Sequence, residues 1–248
     1  LLLMKSGTEA MRALSYLASA EIDKSHFAAD ADRRASHMAL VERFTPIVKG
    51  WLTELSQELT SHGVQIHGGK GFIEETGRAQ HYRDARITTI YEGTTAIQAN
   101  DLVGRKTLAN NGEVLAALLR DIQATADNMQ AVDGLADMGT SLAQVVAQGE
   151  AARQWLLDHA GEDRYAAGSA SVNYLMLLGY LCGGWVMGQA ALKAQALLDA
   201  GQGDKGFLET KRVTARFYFE HLLPRASACL AAVEAGSSSV MALAPEQF

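Results

Sequence analysis

The sequence contains few of the residues that interrupt helices or crosslink chains. Its 248 residues include only three prolines and two cysteines, and aromatic side chains make up 7%. Scarce proline permits long helices, and abundant Ala, Leu, Gln, Glu and Met favour helix over strand. Because the composition is otherwise that of a folded globular protein, we predict an all-α fold.

Basic charge is also scarce, since the formal net charge is -6 at pH 7. Nucleic acids and anionic membranes are bound through basic surfaces, so neither is expected as the main partner. Residues 1–110 carry equal numbers of acidic and basic side chains, and the acidic excess therefore lies in residues 111–248.

The two cysteines, Cys182 and Cys229, have neither a CxxC spacing nor a neighbouring histidine. This pattern is typical of cysteines that serve as small apolar side chains in a protein of the reducing cytoplasm.

The opening Leu-Leu-Leu-Met is followed at once by a charged helical pattern, so no signal peptide is expected. A chain that starts without a first Met is expected to be a fragment.

A run without charged residues extends from Tyr165 to Leu192. It is long enough to form a transmembrane helix. The run also contains several serine, asparagine, glutamine and glycine residues, and no cluster of Lys or Arg marks either end. A helix buried in a bundle is therefore the preferred interpretation, with the small residues permitting close approach of its neighbours.

Apolar stripes with a period of three to four residues predict two antiparallel helices near the start of the chain. The polar stretch from Asp23 to Arg34 is expected to join them, and Pro46 should kink the second helix or mark its first turn. Glycines then interrupt the pattern from His62 to Thr94, which predicts a structured loop with a short helix near Arg78–Arg83. The members of the second stripe are Met38, Val41, Phe44, Val48, Leu52, Leu55 and Leu59.

A helix is predicted from Thr94 to Asn110, with Thr94 or Thr95 as its cap. Asn110-Asn111-Gly112 then marks a boundary, so we divide the chain into domains at residues 1–110 and 111–248. The second is predicted to be a four-helix antiparallel module, whose last two helices span about 164–200 and 206–234.

A glycine cluster, GVQIHGGKGF, extends from Gly63 to Phe72. A phosphate-binding Walker loop needs Lys and Ser/Thr in fixed order, and Lys70 and Gly71 do not satisfy it. A plain turn and a ligand-binding loop are both possible interpretations of this cluster.

No metal site is expected, because the nearby histidines lack a CxxC or HExxH frame. For Arg83, Asp84 and Arg86, a structural ion pair is preferred over a catalytic role.

Glu92 is the main candidate for chemistry. The apolar Ile90 and Tyr91 precede it, and Gly93 leaves room for a ligand against the backbone. Burial among apolar groups would favour the protonated form of a general base, whereas the N-terminus of the next helix would favour the anion. The sequence leaves that balance open. An equal alternative to a general base is that Glu92 is only an acidic residue near the start of the next helix.

Taken together, QIHGGKGF, RDARI and IYEGTTAIQ resemble, in order and spacing, the C-terminal helical domain of the acyl-CoA dehydrogenases. The similarity covers about residues 1–110. The continuation ANDLVGRKTL and the helices beyond it resemble longer bacterial members, a group that includes 3-methylmercaptopropionyl-CoA dehydrogenases.

The resemblance implies a role for individual residues. It implies that Glu92 is the catalytic base and that its backbone N–H helps to bind the thioester oxygen, with Tyr91 and Gly93 lining the acyl-CoA cavity. Ala96 departs from the polar residue that is frequent at its position, and this puts one adenosine contact in doubt. His67 stands where several relatives carry an apolar residue. The implied FAD contacts, some of them made to the FAD of a neighbouring subunit, are Gln65, Ile66, His67, Gly68, Gly69 and Thr94.

The resemblance also implies partners. These are FAD, an acyl-CoA substrate, an electron-transfer flavoprotein and further copies of the chain in a dimer or tetramer. Nothing in the chain resembles the family's N-terminal helical domain or its middle β-domain, so we expect a C-terminal portion that is inactive by itself. An acyl-CoA oxidase of the same fold and a non-catalytic oligomerisation or docking module are the alternatives.

Overall fold

Ten α-helices and three short 3-10 turns make up the chain in the computed structural model, which describes residues 1–248. There are no strands, and the predicted all-α fold is confirmed. The helices are α1 (Leu2–Phe27), α2 (Ala31–Ile66), α3 (Gly69–Phe72), α4 (Arg78–Thr88), α5 (Thr95–Gly104), α6 (Glu113–Gln130), α7 (Ala136–His159), α8 (Ala166–Asp199), α9 (Lys205–His221) and α10 (Arg225–Glu234).

The helices α1 and α2 form a hairpin with a much shorter connection than expected. Only residues 28–30 lie between them, so the prediction of a linker over Asp23–Arg34 is wrong. Asp30 accounts for the tight start of α2, because its carboxylate accepts a hydrogen bond from the Arg33 N–H at 2.7 Å. Pro46 lies buried inside α2 and is not its first turn.

The glycine-rich stretch after α2 is more helical than predicted. Helix α2 continues through Gly63 to Ile66, and α4 covers eleven residues rather than the expected Arg78–Arg83. A single glycine costs a helix only about 1 kcal/mol, and packing of α4 on α2 offsets that cost. Helix α5 is shorter than predicted, since it ends at Gly104 and a 3-10 turn follows at Leu108–Asn110.

The region after residue 111 has five helices instead of four. The helix predicted over 206–234 is divided into α9 and α10, and Pro224 directly precedes α10. Proline cannot donate the backbone hydrogen bond that a continuous helix needs. The predicted turn before α9 is confirmed, with positive φ at Gly201 and Gly203 and with Asp204 capping the Phe207 N–H.

Helix α8 forms the centre of the molecule. It is long and apolar enough to cross a membrane by length and composition, but 78% of its most apolar segment is buried inside the protein. The expectation of a buried bundle helix is thus confirmed. Residues from both sides of Asn110, such as Trp51 and Leu142, belong to one core of 42 buried residues. The division into two domains at that point stays a prediction.

Candidate active site

The segment between α4 and α5 is a closed turn. Thr89, only 3% exposed, is the residue of this segment that faces the core. Its carbonyl accepts a hydrogen bond from the Thr95 N–H at 3.3 Å, and its hydroxyl accepts one from Arg86 Nη1 at 2.7 Å. These contacts fix both ends of the turn and leave residues 90–94 to project outward.

Glu92 occupies the left-handed region of backbone space, with a φ of 52°. Only one other non-glycine residue, Asn111, has a positive φ. Gly93 follows with a φ of 89°, and a Cβ atom there would lie 2.7 Å from Gln98 Nε2. Gln98 in turn donates a hydrogen bond from Nε2 to the Glu92 carbonyl at 3.3 Å. The turn therefore requires glycine at 93, and Gln98 helps to hold Glu92 in place.

The side chains of Ile90, Tyr91 and Glu92 are exposed in this chain. Burial of Glu92 among apolar groups, one of the two possibilities that the sequence left open, is not found within this chain. The reason is local: Ile87 and Thr88 still belong to α4, and the chain turns directly after them. Thr89 then takes the only buried position, so the apolar side chains point away from the core.

Several backbone donors of the turn have no acceptor within the protein. The N–H groups of Glu92, Gly93 and Thr94 form no hydrogen bond, whereas the Thr94 hydroxyl caps α5 by accepting from the Ile97 N–H at 3.3 Å. The predicted cap at Thr94 is confirmed. Free N–H groups at the N-terminus of a helix stabilise negative charge. The turn thus combines an exposed carboxylate with donors suited to an oxygen that gains negative charge.

The second predicted group of residues, Gln65–Gly69, forms the exposed end of α2 and the start of α3. Gly68 has a φ of 58°, and no atom lies within 4 Å of a Cβ placed on Gly68 or Gly69. Gly71 differs, because a Cβ there would lie 2.2 Å from the Val64 carbonyl oxygen. Gly71 therefore serves packing, while the backbone at Gly68 and Gly69 is open to contact from outside.

The structure does not bring the two groups together within one chain. Glu54 of α2 contacts the Glu92 turn through Thr95, and Ile66 ends the same helix. Twelve residues of helix at 1.5 Å each separate Glu54 from Ile66, or about 18 Å. The loop and the turn consequently lie at different places along α2.

Three residues that contact the turn were not among the predicted site residues: Lys49, Glu54 and Gln98. Lys49 Nζ donates to the Thr88 carbonyl at 2.5 Å, and the Thr95 hydroxyl donates to Glu54 Oε1 at 2.5 Å. Gln98 lies within the motif IYEGTTAIQ and could have been considered. Lys49 and Glu54 carried no signal, because their partners are 39 and 41 residues away in the sequence.

Large apolar side chains are exposed near both groups. An open cleft of about 690 Å³ lies between the end of α2 and α4, with Phe72, Ile73 and Tyr82 among its lining residues. Exposed apolar patches of this kind mark interaction surfaces. The other large apolar side chains exposed in this part of the chain are Ile66, Ile87, Ile90, Tyr91 and Ile97.

Comparison with known protein families identifies both parts of the chain. Residues 1–107 match the family described as acyl-CoA dehydrogenase, C-terminal domain, and residues 118–244 match the family described as acetyl-CoA dehydrogenase C-terminal like. The chain belongs to the acyl-CoA dehydrogenase family. The resemblance seen in the sequence motifs is thereby confirmed.

Individual acyl-CoA dehydrogenases are similar over most of this chain. It is 44% identical over 232 residues to 3-methylmercaptopropionyl-CoA dehydrogenase of Ruegeria pomeroyi, covering 92% of this chain and 39% of that protein. It is 35% identical over 211 residues to a broad-specificity linear acyl-CoA dehydrogenase of Mycobacterium tuberculosis, covering 82% of this chain and 34% of that protein. The chain thus spans less than half the length of these curated relatives.

A solved acyl-CoA dehydrogenase has the same fold. The crystal structure of the Bacillus anthracis enzyme complexed with FAD aligns with a TM-score of 0.67 and 23% identity, covering 97% of this chain and 43% of that one. The similarity includes the helices on both sides of Asn110.

Proposed function

We propose that this chain is the C-terminal portion of an FAD-dependent acyl-CoA dehydrogenase, which oxidises an acyl-CoA thioester to the 2,3-enoyl-CoA. The observation that carries the proposal is the Glu92 turn. A glutamate in a left-handed conformation, followed by an obligatory glycine and beside three free N–H groups, is a costly arrangement for a plain helix end. Family membership and the names of the relatives support the same reaction.

In the proposed reaction Glu92 takes the proton from the carbon next to the thioester. Its own backbone N–H binds the thioester oxygen, which gains negative charge as the proton leaves, and this lowers the barrier. Bound FAD supplies the acceptor for the hydride from the neighbouring carbon, so that a 2,3 double bond remains. Tyr91, exposed beside Glu92, and Gly93, which has no side chain, are suited to line the acyl-CoA cavity.

The predicted cofactor residues fit contact with FAD. Gly68 and Gly69 present open backbone, and Thr94 lies at the N-terminus of α5, where an anionic or polar group is stabilised. The distance of about 18 Å along α2 between loop and turn agrees with an oligomer in which the loop serves the FAD of a neighbouring subunit. We accordingly propose a cytoplasmic homo-oligomer that passes electrons to an electron-transfer flavoprotein.

The enzyme that contains this chain provides the test. Glu92→Gln keeps the size of the side chain but removes the base, so reduction of bound flavin by acyl-CoA should fall by at least about a hundredfold while acyl-CoA still binds. Glu113→Gln is a matched control, because Glu113 is another exposed glutamate next to a positive-φ glycine, Gly112, at the start of a helix. Stopped-flow bleaching of the flavin absorbance measures both variants.

Other results would contradict the proposal in specific ways. If Glu92→Gln reduces flavin at the unmodified rate, the role of Glu92 is wrong and a docking module becomes the better account. Rapid consumption of oxygen by the reduced enzyme would identify an oxidase instead of a dehydrogenase. The 248-residue chain alone, mixed with FAD and a panel of acyl-CoAs, is expected to show no turnover.

A further inference from the structure

Two charged side chains of α2 reach the Glu92 turn from the core side. Lys49 Nζ donates to the carbonyl of Thr88, the last residue of α4, at 2.5 Å. The same ammonium lies 5.6 Å from the centre of the Tyr91 ring. A cation is favoured both at the C-terminus of a helix and over the face of an aromatic ring. Lys49 thus holds the entry to the turn and one of its exposed side chains.

Glu54 acts at the other end of the turn. The hydroxyl of Thr95, the first residue of α5, donates to Glu54 Oε1 at 2.5 Å, and Thr95 itself is buried. A carboxylate is favoured at this helix N-terminus. Five residues of helix separate Lys49 from Glu54, which is about 7.5 Å along α2. Opposite charges on one rigid helix therefore hold the two ends of the turn.

Neither side chain has another polar role. Lys49 and Glu54 are half-buried, form no ion pair, and make no side-chain hydrogen bond other than the one to the turn. Their hydrogen bonds go only to Thr88 and Thr95, the helix residues that flank the strained turn, so these two charges are better explained by the position of that turn than by stability of the helix bundle.

We propose that Lys49 and Glu54 are positioning residues, which keep the carboxylate and the backbone N–H of Glu92 at the geometry that proton removal requires. The inference rests on the function proposed above and names two further residues for the same site. A displacement of about 1 Å can reduce the rate of an enzymatic step a hundredfold, so loss of either contact should lower the rate of flavin reduction more than it weakens binding.

Three variants of the enzyme that contains this chain test the contacts: Lys49→Met, Glu54→Leu and Thr95→Val. Each should reduce the single-turnover rate of flavin reduction by about tenfold or more, with a change in acyl-CoA Kd of less than about threefold. Glu54→Gln and Thr95→Ser retain the hydrogen bond and should restore most of the rate. The double variant Glu54→Leu/Thr95→Val should be no slower than its slower parent, since both changes remove one interaction.

Controls separate this inference from the proposed function. Glu42→Gln removes a charge from α2 that pairs with Lys106 at 2.8 Å, away from the turn, and should leave the rate unchanged. Amide hydrogen exchange over residues 89–95 of the 248-residue chain should be faster in Thr95→Val. This variant has nearly the same side-chain shape as the original residue, so it tests the contact even if Glu54→Leu does not fold. Unchanged rates and exchange in the three variants, with flavin reduction still abolished in Glu92→Gln, would overturn the positioning role alone. Unchanged flavin reduction in Glu92→Gln would overturn both.

Discussion

Glu92 is held in a conformation that costs a residue with a side chain on the order of 1 kcal/mol or more. The cost persists because four contacts surround the turn: those of Lys49, Glu54 and Gln98, and the backbone bond that joins Thr95 to Thr89. A glycine at position 92 would adopt the same backbone without strain. The presence of glutamate there indicates that its carboxylate, rather than the shape of the turn, is what the position provides.

Two neighbouring glycines allow packing and ligand contact to be separated at single residues. In Gly71→Ala the new methyl group would lie 2.2 Å from the Val64 carbonyl oxygen, so we expect a loss of about 2 kcal/mol or more in the free energy of unfolding. In Gly69→Ala the methyl group meets no atom within 4 Å, and stability should change by less than about 0.5 kcal/mol.

Under the proposed contact with FAD, the same Gly69→Ala change should weaken FAD binding in the enzyme that contains the chain, because the methyl group would occupy the open space beside the Gly69 backbone. Urea unfolding of the 248-residue chain and FAD titration of the apoenzyme are the two measurements. FAD affinity equal to that of the unmodified enzyme would remove Gly69 from the proposed cofactor contacts.

At the scale of the elements, glycines determine how closely other helices approach α8. A Cβ atom on Gly179 would lie 2.1 Å from Trp51 Cγ of α2. Gly179→Ala should therefore lower the free energy of unfolding by about 3 kcal/mol. Gly168 is the matched control on the same helix, because it is exposed and has no atom within 4 Å of its Cβ position.

Gly168→Ala should raise stability by about 0.5 to 1 kcal/mol, through its better helix propensity alone. Urea unfolding followed by circular dichroism compares the two variants. Equal effects of Gly179→Ala and Gly168→Ala would show that close approach at Gly179 is not needed for packing.

The helices themselves were predictable from apolar periodicity, but several of their ends were not. The start of α2 depends on a cap at Asp30, and the division of the last predicted helix depends on Pro224. Glu92 was predicted as the base from the motif and its resemblance alone, and the left-handed backbone at Glu92 became visible only in the structure. Lys49 and Glu54 could not be found from the sequence, because their partners Thr88 and Thr95 lie 39 and 41 positions further along the chain. Only the folded protein brings these residues together.

At the scale of the whole molecule, an ion pair connects the first part of the chain to the last. The two terminal guanidinium nitrogens of Arg225 on α10 donate to the Glu58 carboxylate on α2, at 2.6 and 2.8 Å. The hydrogen bonds from Arg225 lower the pKa of Glu58 below its usual value of 4.5 in spite of partial burial. This pair and the shared core connect helices from both sides of Asn110.

The sign of the pH dependence follows from that pKa shift. A carboxylate whose pKa is lower in the folded state stabilises the fold above its unfolded pKa, and this contribution is lost as pH falls through the folded-state pKa. Glu58→Gln should therefore lower the free energy of unfolding by roughly 1 kcal/mol at pH 7. The difference from the unmodified chain should shrink as the pH falls below 4.5 and through the lower folded-state pKa of Glu58.

Urea unfolding at a series of pH values measures this difference, with Glu75→Gln as the control. Glu75 is exposed and has no ion-pair partner, so its replacement should change stability by less than about 0.5 kcal/mol at every pH. A Glu58→Gln effect that does not shrink as the pH is lowered below 4.5 cannot come from the charge of Glu58. Its origin would then be packing between α2 and α10, and the ion pair would not be what couples the two ends of the chain.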